Sequence, residues 1–167
     1  MDFTIDIDVS AFQKMAKEFP VKFKAQCAAA ATRSGDLIKK EIDEAFVSGG
    51  PKGARWPALS TKYANWKARH GYDAGILLRT YLLARSFTFK REGLGGWVGI
   101  LPGISWPAGL PGKKTVAEVM DIHEQWSRSG GSGMGKMPKR ALFKPISDYA
   151  APKIKAIYEQ ALQEAIK

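Results

Sequence analysis

Apolar and polar residues alternate one for one at the start of the chain. Phe3, Ile5, Ile7 and Val9 are separated by Thr4, Asp6 and Asp8, and a period of two predicts a half-buried strand. The period then lengthens. Ser10 is placed to cap a short helix with Phe12, Met15, Ala16 and Phe19 on one face, and Pro20 suits the first position of a new helix. From Val21 to Val47 the apolar positions Cys27, Ala31, Ile38, Ile42 and Ala45-Phe46 keep to one broad stripe, which predicts one long helix. Gly35 is its weak point, about 1 kcal/mol worse than Ala in a helix interior. Ser48-Gly49-Gly50-Pro51 ends the pattern. The small residues from Ala25 to Ala31 would let a helix or a sheet, of this chain or of another subunit, approach closely.

The stretch from Arg55 to Ser86 organises the middle of the chain. Trp56 is extended because a proline follows it, and Ser60 caps a short helix with Tyr63, Trp66 and Lys67 on one face. His70-Gly71 ends that helix. Ile76, Leu77 and Leu78 open a second, more apolar one that runs through Leu82-Leu83. Phe87 and Phe89 then alternate with Thr88 and Lys90, and Trp97, Val98, Ile100 and Leu101 follow. Glu92-Gly93 between them reads as a hairpin turn. Gly95, Gly96 and Gly99 weaken the second strand or mark a bulge.

Residues 102–114 hold three prolines and three glycines and form an irregular loop, with Trp106 and Leu110 either tucked onto the core or kept for a partner. Thr115-Val116-Ala117-Glu118 is a capping box opening a helix that ends near Trp126. Ser127–Gly135 has the composition of a flexible linker and is the segment expected to order on assembly. The final helix carries Ile154, Ile157-Tyr158, Ala161-Leu162 and Ala165-Ile166 at helical spacing. Pro152 requires it to begin near Ala150 or to kink there. These elements predict one α+β domain over residues 1–167. A small antiparallel sheet, formed by the N-terminal strand and the 87–101 hairpin, packs against the long N-terminal helix and the C-terminal helix, with long irregular loops between. A further strand near Lys136–Phe143 fits the same sheet.

Composition changes this picture in one respect. The chain is 45% apolar and 25% charged, as ordinary folded proteins are, but 26 Lys and Arg against 16 Asp and Glu leave a net charge of +10. Such a surface suits nucleic acid, an anionic membrane or an acidic protein. No apolar run approaches the roughly 20 residues that span a bilayer, and the acidic, alternating N-terminus is neither a signal nor a transit peptide. The one cysteine allows no intrachain disulfide, which fits synthesis in a reducing cytosol.

Motifs for chemistry are weak. Gly130 to Lys136 matches the start of a phosphate-binding loop, but Met137 and Pro138 stand where a Ser or Thr and a helix are needed. His123-Glu124 lacks the second histidine of a zinc-protease helix, since position 127 is Ser. Two histidines and one cysteine do not make a structural zinc site by themselves, so His123 reads as a helix-end residue bonding locally. Cys27, in an alanine-rich helix, reads as a small buried apolar residue. No catalytic residue, metal ligand or cofactor site emerges, and the chain reads as a non-enzyme. Nucleic acid is the stronger alternative. Lys136, Lys139, Arg140 and Lys144 form a basic group after the glycine-rich linker, and Arg55, Lys62, Lys67 and Arg69 interleave with Trp56, Tyr63 and Trp66, as in single-strand binders. The competing reading makes the aromatics core and the basic residues a ring around it.

The order of motifs resembles the phage virion morphogenesis family, the tail-completion or head–tail joining proteins of Mu-like and related tailed phages. The matching residues are Trp56, Pro57, Leu59, Ser60, Tyr63, Ala64, Lys67, Gly71, Ile76, Leu77, Thr80, Leu83 and Ser86. Further on come Ile122-His123-Glu124, Pro138-Lys139-Arg140-Ala141-Leu142-Phe143, and Ser147-Asp148 opening the last helix. The family has Thr-Gly where this chain has Thr80-Tyr81. The resemblance covers roughly residues 35–167. It implies a structural protein of the virion, at the head–tail junction or tail end, made in the bacterial host cytoplasm. Such a protein forms a homo-oligomer such as a ring, and bridges neck and tail proteins such as the connector, tail terminator or tail tube. In that role Trp106, Leu110, Trp126 and Arg140 are the expected partner-binding residues. Lys136, Lys139, Arg140 and Lys144 would face passing DNA without sequence preference.

Overall fold

The computed structural model describes residues 10–77, 81–101, 103–105, 115–125 and 138–167. The expected strand at Phe3–Val9, the loop residues Trp106 and Leu110, and the glycine-rich linker with Trp126 and Lys136 lie outside the described residues. The described chain has an α+β fold of five helices and one hairpin: α1 (Ser10–Ser48), α2 (Thr61–Arg69), α3 (Leu82–Arg85), β1 (Phe87–Glu92), β2 (Gly95–Ile100), α4 (Val116–Gln125) and α5 (Phe143–Ile166). No described helix is long and apolar enough to cross a membrane.

The two predicted N-terminal helices are one. α1 runs unbroken through Pro20 for 39 residues, about 58 Å at 1.5 Å per residue. α5 likewise runs through Pro152 and opens at Phe143, not near Ala150 or Ser147. Both prolines are exposed, so solvent serves the carbonyl that each ring leaves without a donor. α1 and α5 pack along each other with opposite chain directions. Ile42 and Phe46 share the core with Ile146, and Cys27 lies beside Tyr158. Buried alanines (Ala30 and Ala31 of α1, and Ala150, Ala161 and Ala165 of α5) let the backbones approach. The small-residue stretch of α1 thus has an intrachain contact.

The hairpin lies on the same helix. β1 and β2 pair without a bulge, Phe87 opposite Ile100 and Phe89 opposite Val98, and they form a two-stranded sheet among the described residues. Gly93, at φ 58°, takes the first turn position, where a tight hairpin requires a left-handed residue. Phe89 explains two other glycines. A Cβ on Gly35 of α1 would stand 2.5 Å from the Phe89 ring, and one on Gly96 of β2 would also stand 2.5 Å from it. The ring is held between two bare backbones, so the helix's weak point is the seat of the sheet.

The core joins Ile42, Ala45 and Phe46 of α1 to Trp56, Leu83, Phe87, Val116, Met120, Leu142 and Ile146. Phe46 meets Trp56 edge-on at 5.5 Å and Phe87 at 6.0 Å. The second apolar helix expected from Ile76 is reduced to the four residues of α3. Leu77 and Tyr81 sit at φ 61° and 56°, left-handed values that no right-handed helix contains. The Asp73 carboxylate pins this turn, accepting from the Gly75 N–H and the Tyr81 hydroxyl.

Candidate interaction surface

Three segments far apart in sequence meet at one clamp. The Trp56 indole N–H donates to the Ala141 carbonyl at 2.9 Å, and the Arg140 guanidinium donates to the Pro57 carbonyl at 3.4 Å. From the other side, the Arg140 N–H donates to the His123 carbonyl at 2.9 Å. The Glu124 carboxylate accepts from the N–H groups of Leu142 at 2.6 Å, Phe143 at 3.2 Å and Lys144 at 3.5 Å. These bonds explain why residues 138–142 form no strand, contrary to the sequence expectation: their donors and acceptors are taken by side chains and by the end of α4. They also explain where α5 starts. Leu142 has no capping side chain of its own, and Glu124 of α4 supplies the anion that free amides at a helix N-terminus favour.

Arg140 is 5% exposed. Burial lowers the affinity of its guanidinium for its proton, though Arg stays charged in proteins. Its Nε and the Nδ1 of His123 are buried with no hydrogen-bond partner among the described residues. Burial and then the neighbouring Arg140 charge pull the His123 imidazole down to about 4. His123 is thus a neutral ring packed under the clamp, bonded to the chain through its backbone.

Lys139 and Lys144 are exposed and share a cleft of about 460 Å³ with Lys52, Glu124, Asp148 and Tyr149. Much of its positive charge is paired. Lys52 lies 2.9 Å from Glu41 and 2.7 Å from Glu44, and those hydrogen bonds raise its affinity for its proton. Lys144 lies 2.8 Å from Asp148. Lys153 stands 3.7 Å over the Tyr149 ring and lowers that phenol's pKa by hydrogen bonding. Lys139 has no ion pair among the described residues. Because Glu124 already occupies the α5 amides, the helix end offers nothing to a phosphate.

The aromatic stretch divides. Trp56 is core, and Lys67 is 1% exposed, its ammonium donating to the Gly75 carbonyl at 2.7 Å. Ser60 caps α2 as expected, accepting from Tyr63 N–H at 3.3 Å. Tyr63 and Trp66, however, lie outside the core, stacked at 5.6 Å, and Trp66 continues the stack to His70 at 4.5 Å and Tyr72 at 5.4 Å. Tyr63 is 41% exposed. The helix-face rule places these rings together without saying whether the face is inside. Among the described residues no cluster of His, Cys, Asp and Glu could hold a metal ion.

Compared with known proteins, the chain matches no family model, and no curated protein or solved structure is significantly similar to it.

Proposed function

We propose that this chain is a structural protein of a tailed-phage particle, of the virion morphogenesis type, that completes the tail or joins it to the head by self-association and by bridging neighbouring virion proteins. The clamp carries this reading. The separate motifs of the resemblance, Trp56-Pro57, His123-Glu124 and Arg140-Ala141-Leu142, converge on one set of hydrogen bonds. Tyr81 lends support. It occupies the position at which the family has Gly, and it takes the left-handed conformation that favours Gly. In this reading the clamp fixes the base of the segment that carries Trp126, the Val116 N–H to Ile104 carbonyl bond at 2.8 Å closes the base of the segment that carries Trp106 and Leu110, and those three residues meet the partners. Arg140 acts from inside, holding the clamp. The test is deletion of the coding sequence in a particle-producing strain, with electron microscopy of the lysate. Separate heads and tails are expected. Intact particles overturn the reading.

The cleft shared by Lys139 and Lys144 favours a second reading, a non-specific contact with DNA. Binding of duplex DNA by the purified protein at low salt, lost as salt rises and weakened by Lys139→Glu with Lys144→Glu, would support it. Absence of binding at low salt excludes it.

A further inference from the structure

An apolar groove of about 500 Å³ lies beside the hairpin, lined by Ile38 and Ile42 of α1, Val98 of β2, and Phe143, Ile146 and Ile154 of α5. Among the described residues no strand pairs with the outer edge of β2. The sheet-facing side chains Phe87, Phe89, Val98 and Ile100 share one face, as the register requires. The site has the form of a missing strand position: β2, whose outer edge has no strand partner among the described residues, reaches the groove through Val98, and apolar side chains of α1 and α5 line the rest.

The chain holds a sequence suited to that position. Phe3, Ile5, Ile7 and Val9 present four apolar residues at period two, with Thr4, Asp6 and Asp8 between them. Added beside β2, such a segment would direct its apolar set onto Ile38 and Ile42, and its carboxylates outward toward a surface of net charge +10. It cannot do so within its own molecule. Seven residues span at most about 25 Å when fully extended, whereas Ser10 and Ile38 are separated by about 42 Å of continuous helix.

We propose that residues 3–9 of one copy dock as a strand in the β2–α1–α5 groove of a second copy. Each molecule gives one arm and receives one, a head-to-tail contact that closes into a ring or continues as a chain. The inference deepens the assembly reading, and rests on it only in taking a second copy as the occupant.

The experiment compares the solution mass of the full chain with that of two variants, Ile5→Asp with Ile7→Asp in the arm, and Ile154→Asp in the groove. The wild type is expected to assemble and each variant to be monomeric. A one-to-one mixture of the variants restores a single arm–groove pair, so its mass doubles to that of a dimer. That complementation also shows that both variants fold. A monomeric wild type, an arm variant that assembles as the wild type does, or a mixture that stays monomeric overturns arm donation. If the arm variant assembles normally, self-association itself stands and only its route is refuted. The phage assignment is judged separately, by the deletion lysate.

Discussion

Gly35 shows how a single position can reverse a general rule. In an exposed helix interior Gly→Ala stabilises by about 1 kcal/mol. Here the added methyl would stand 2.5 Å from the root of the Phe89 ring, which has no flexible end to move aside. Gly35→Ala is expected to destabilise by about 1–3 kcal/mol in urea unfolding. In a Phe89→Ala background the same substitution should become neutral or stabilising. His123 gives a second prediction at this scale. Its folded imidazole titrates near 4, against 6.5 for the free group, so between those values the unfolded chain binds more protons. Stability is therefore full above pH 6.5 and falls as pH drops toward 4, by about 3 kcal/mol. His123→Leu should flatten that part of the pH–stability curve, read by thermal or urea unfolding at a series of pH values.

Among the elements, α5 depends most on a residue outside itself. Glu124→Ala removes the acceptor for three backbone N–H groups at its start, with an expected loss of about 1–3 kcal/mol and increased amide exchange at Leu142–Lys144. Trp56→Phe leaves the Ala141 carbonyl without its indole donor and should cost about 1–2 kcal/mol. Period and capping made much of the fold legible in the sequence. The stripe from Cys27 to Phe46, the Ser60 cap, the hairpin, and the Thr115–Glu118 box, whose reciprocal bonds measure 2.6 and 3.2 Å, are all local signals. What the sequence hid was long-range. Glu124 caps α5 from 19 residues before Phe143, so the helix start carries no local mark. The further strand expected near Lys136–Phe143 does not form over residues 138–142, because His123, Trp56 and Glu124 claim the backbone groups of Arg140, Ala141 and Leu142. Leu77 and Tyr81 took left-handed values against their propensity, because Asp73 fixes that turn. For the candidate site, exposure of Lys139 and Lys144 followed from charge. Burial of Arg140 and Lys67 did not, since only the fold reveals which carbonyls receive a cation.

Across the whole molecule, the charge of +10 is distributed so that several of the lysines gathered near the α5 start already have acidic or aromatic partners. Contact with a polyanion would have to compete with those pairs. Any affinity for DNA should accordingly be weak, with few phosphates neutralised and therefore a small slope of log K against log salt in a filter or anisotropy titration. Apolar self-association should instead survive high salt, because screening acts on charges and leaves buried hydrocarbon untouched. Light scattering at low and high salt separates these cases in one experiment.

The Trp56–Ala141 hydrogen bond joins residues 85 positions apart, and α1, the most N-terminal of the described helices, packs against α5, the most C-terminal of them. A chain growing on the ribosome therefore carries the α5-facing part of the α1 stripe uncovered until residues 143–166 have been made. Neither the α5-facing side of that helix nor the Trp56 indole can find its partner until residues 141–166 emerge. Completion of the native core is thus tied to the emergence of α5, and a message truncated anywhere before Phe143 yields a chain in which the α5-facing side of α1 is exposed to chaperones and proteases.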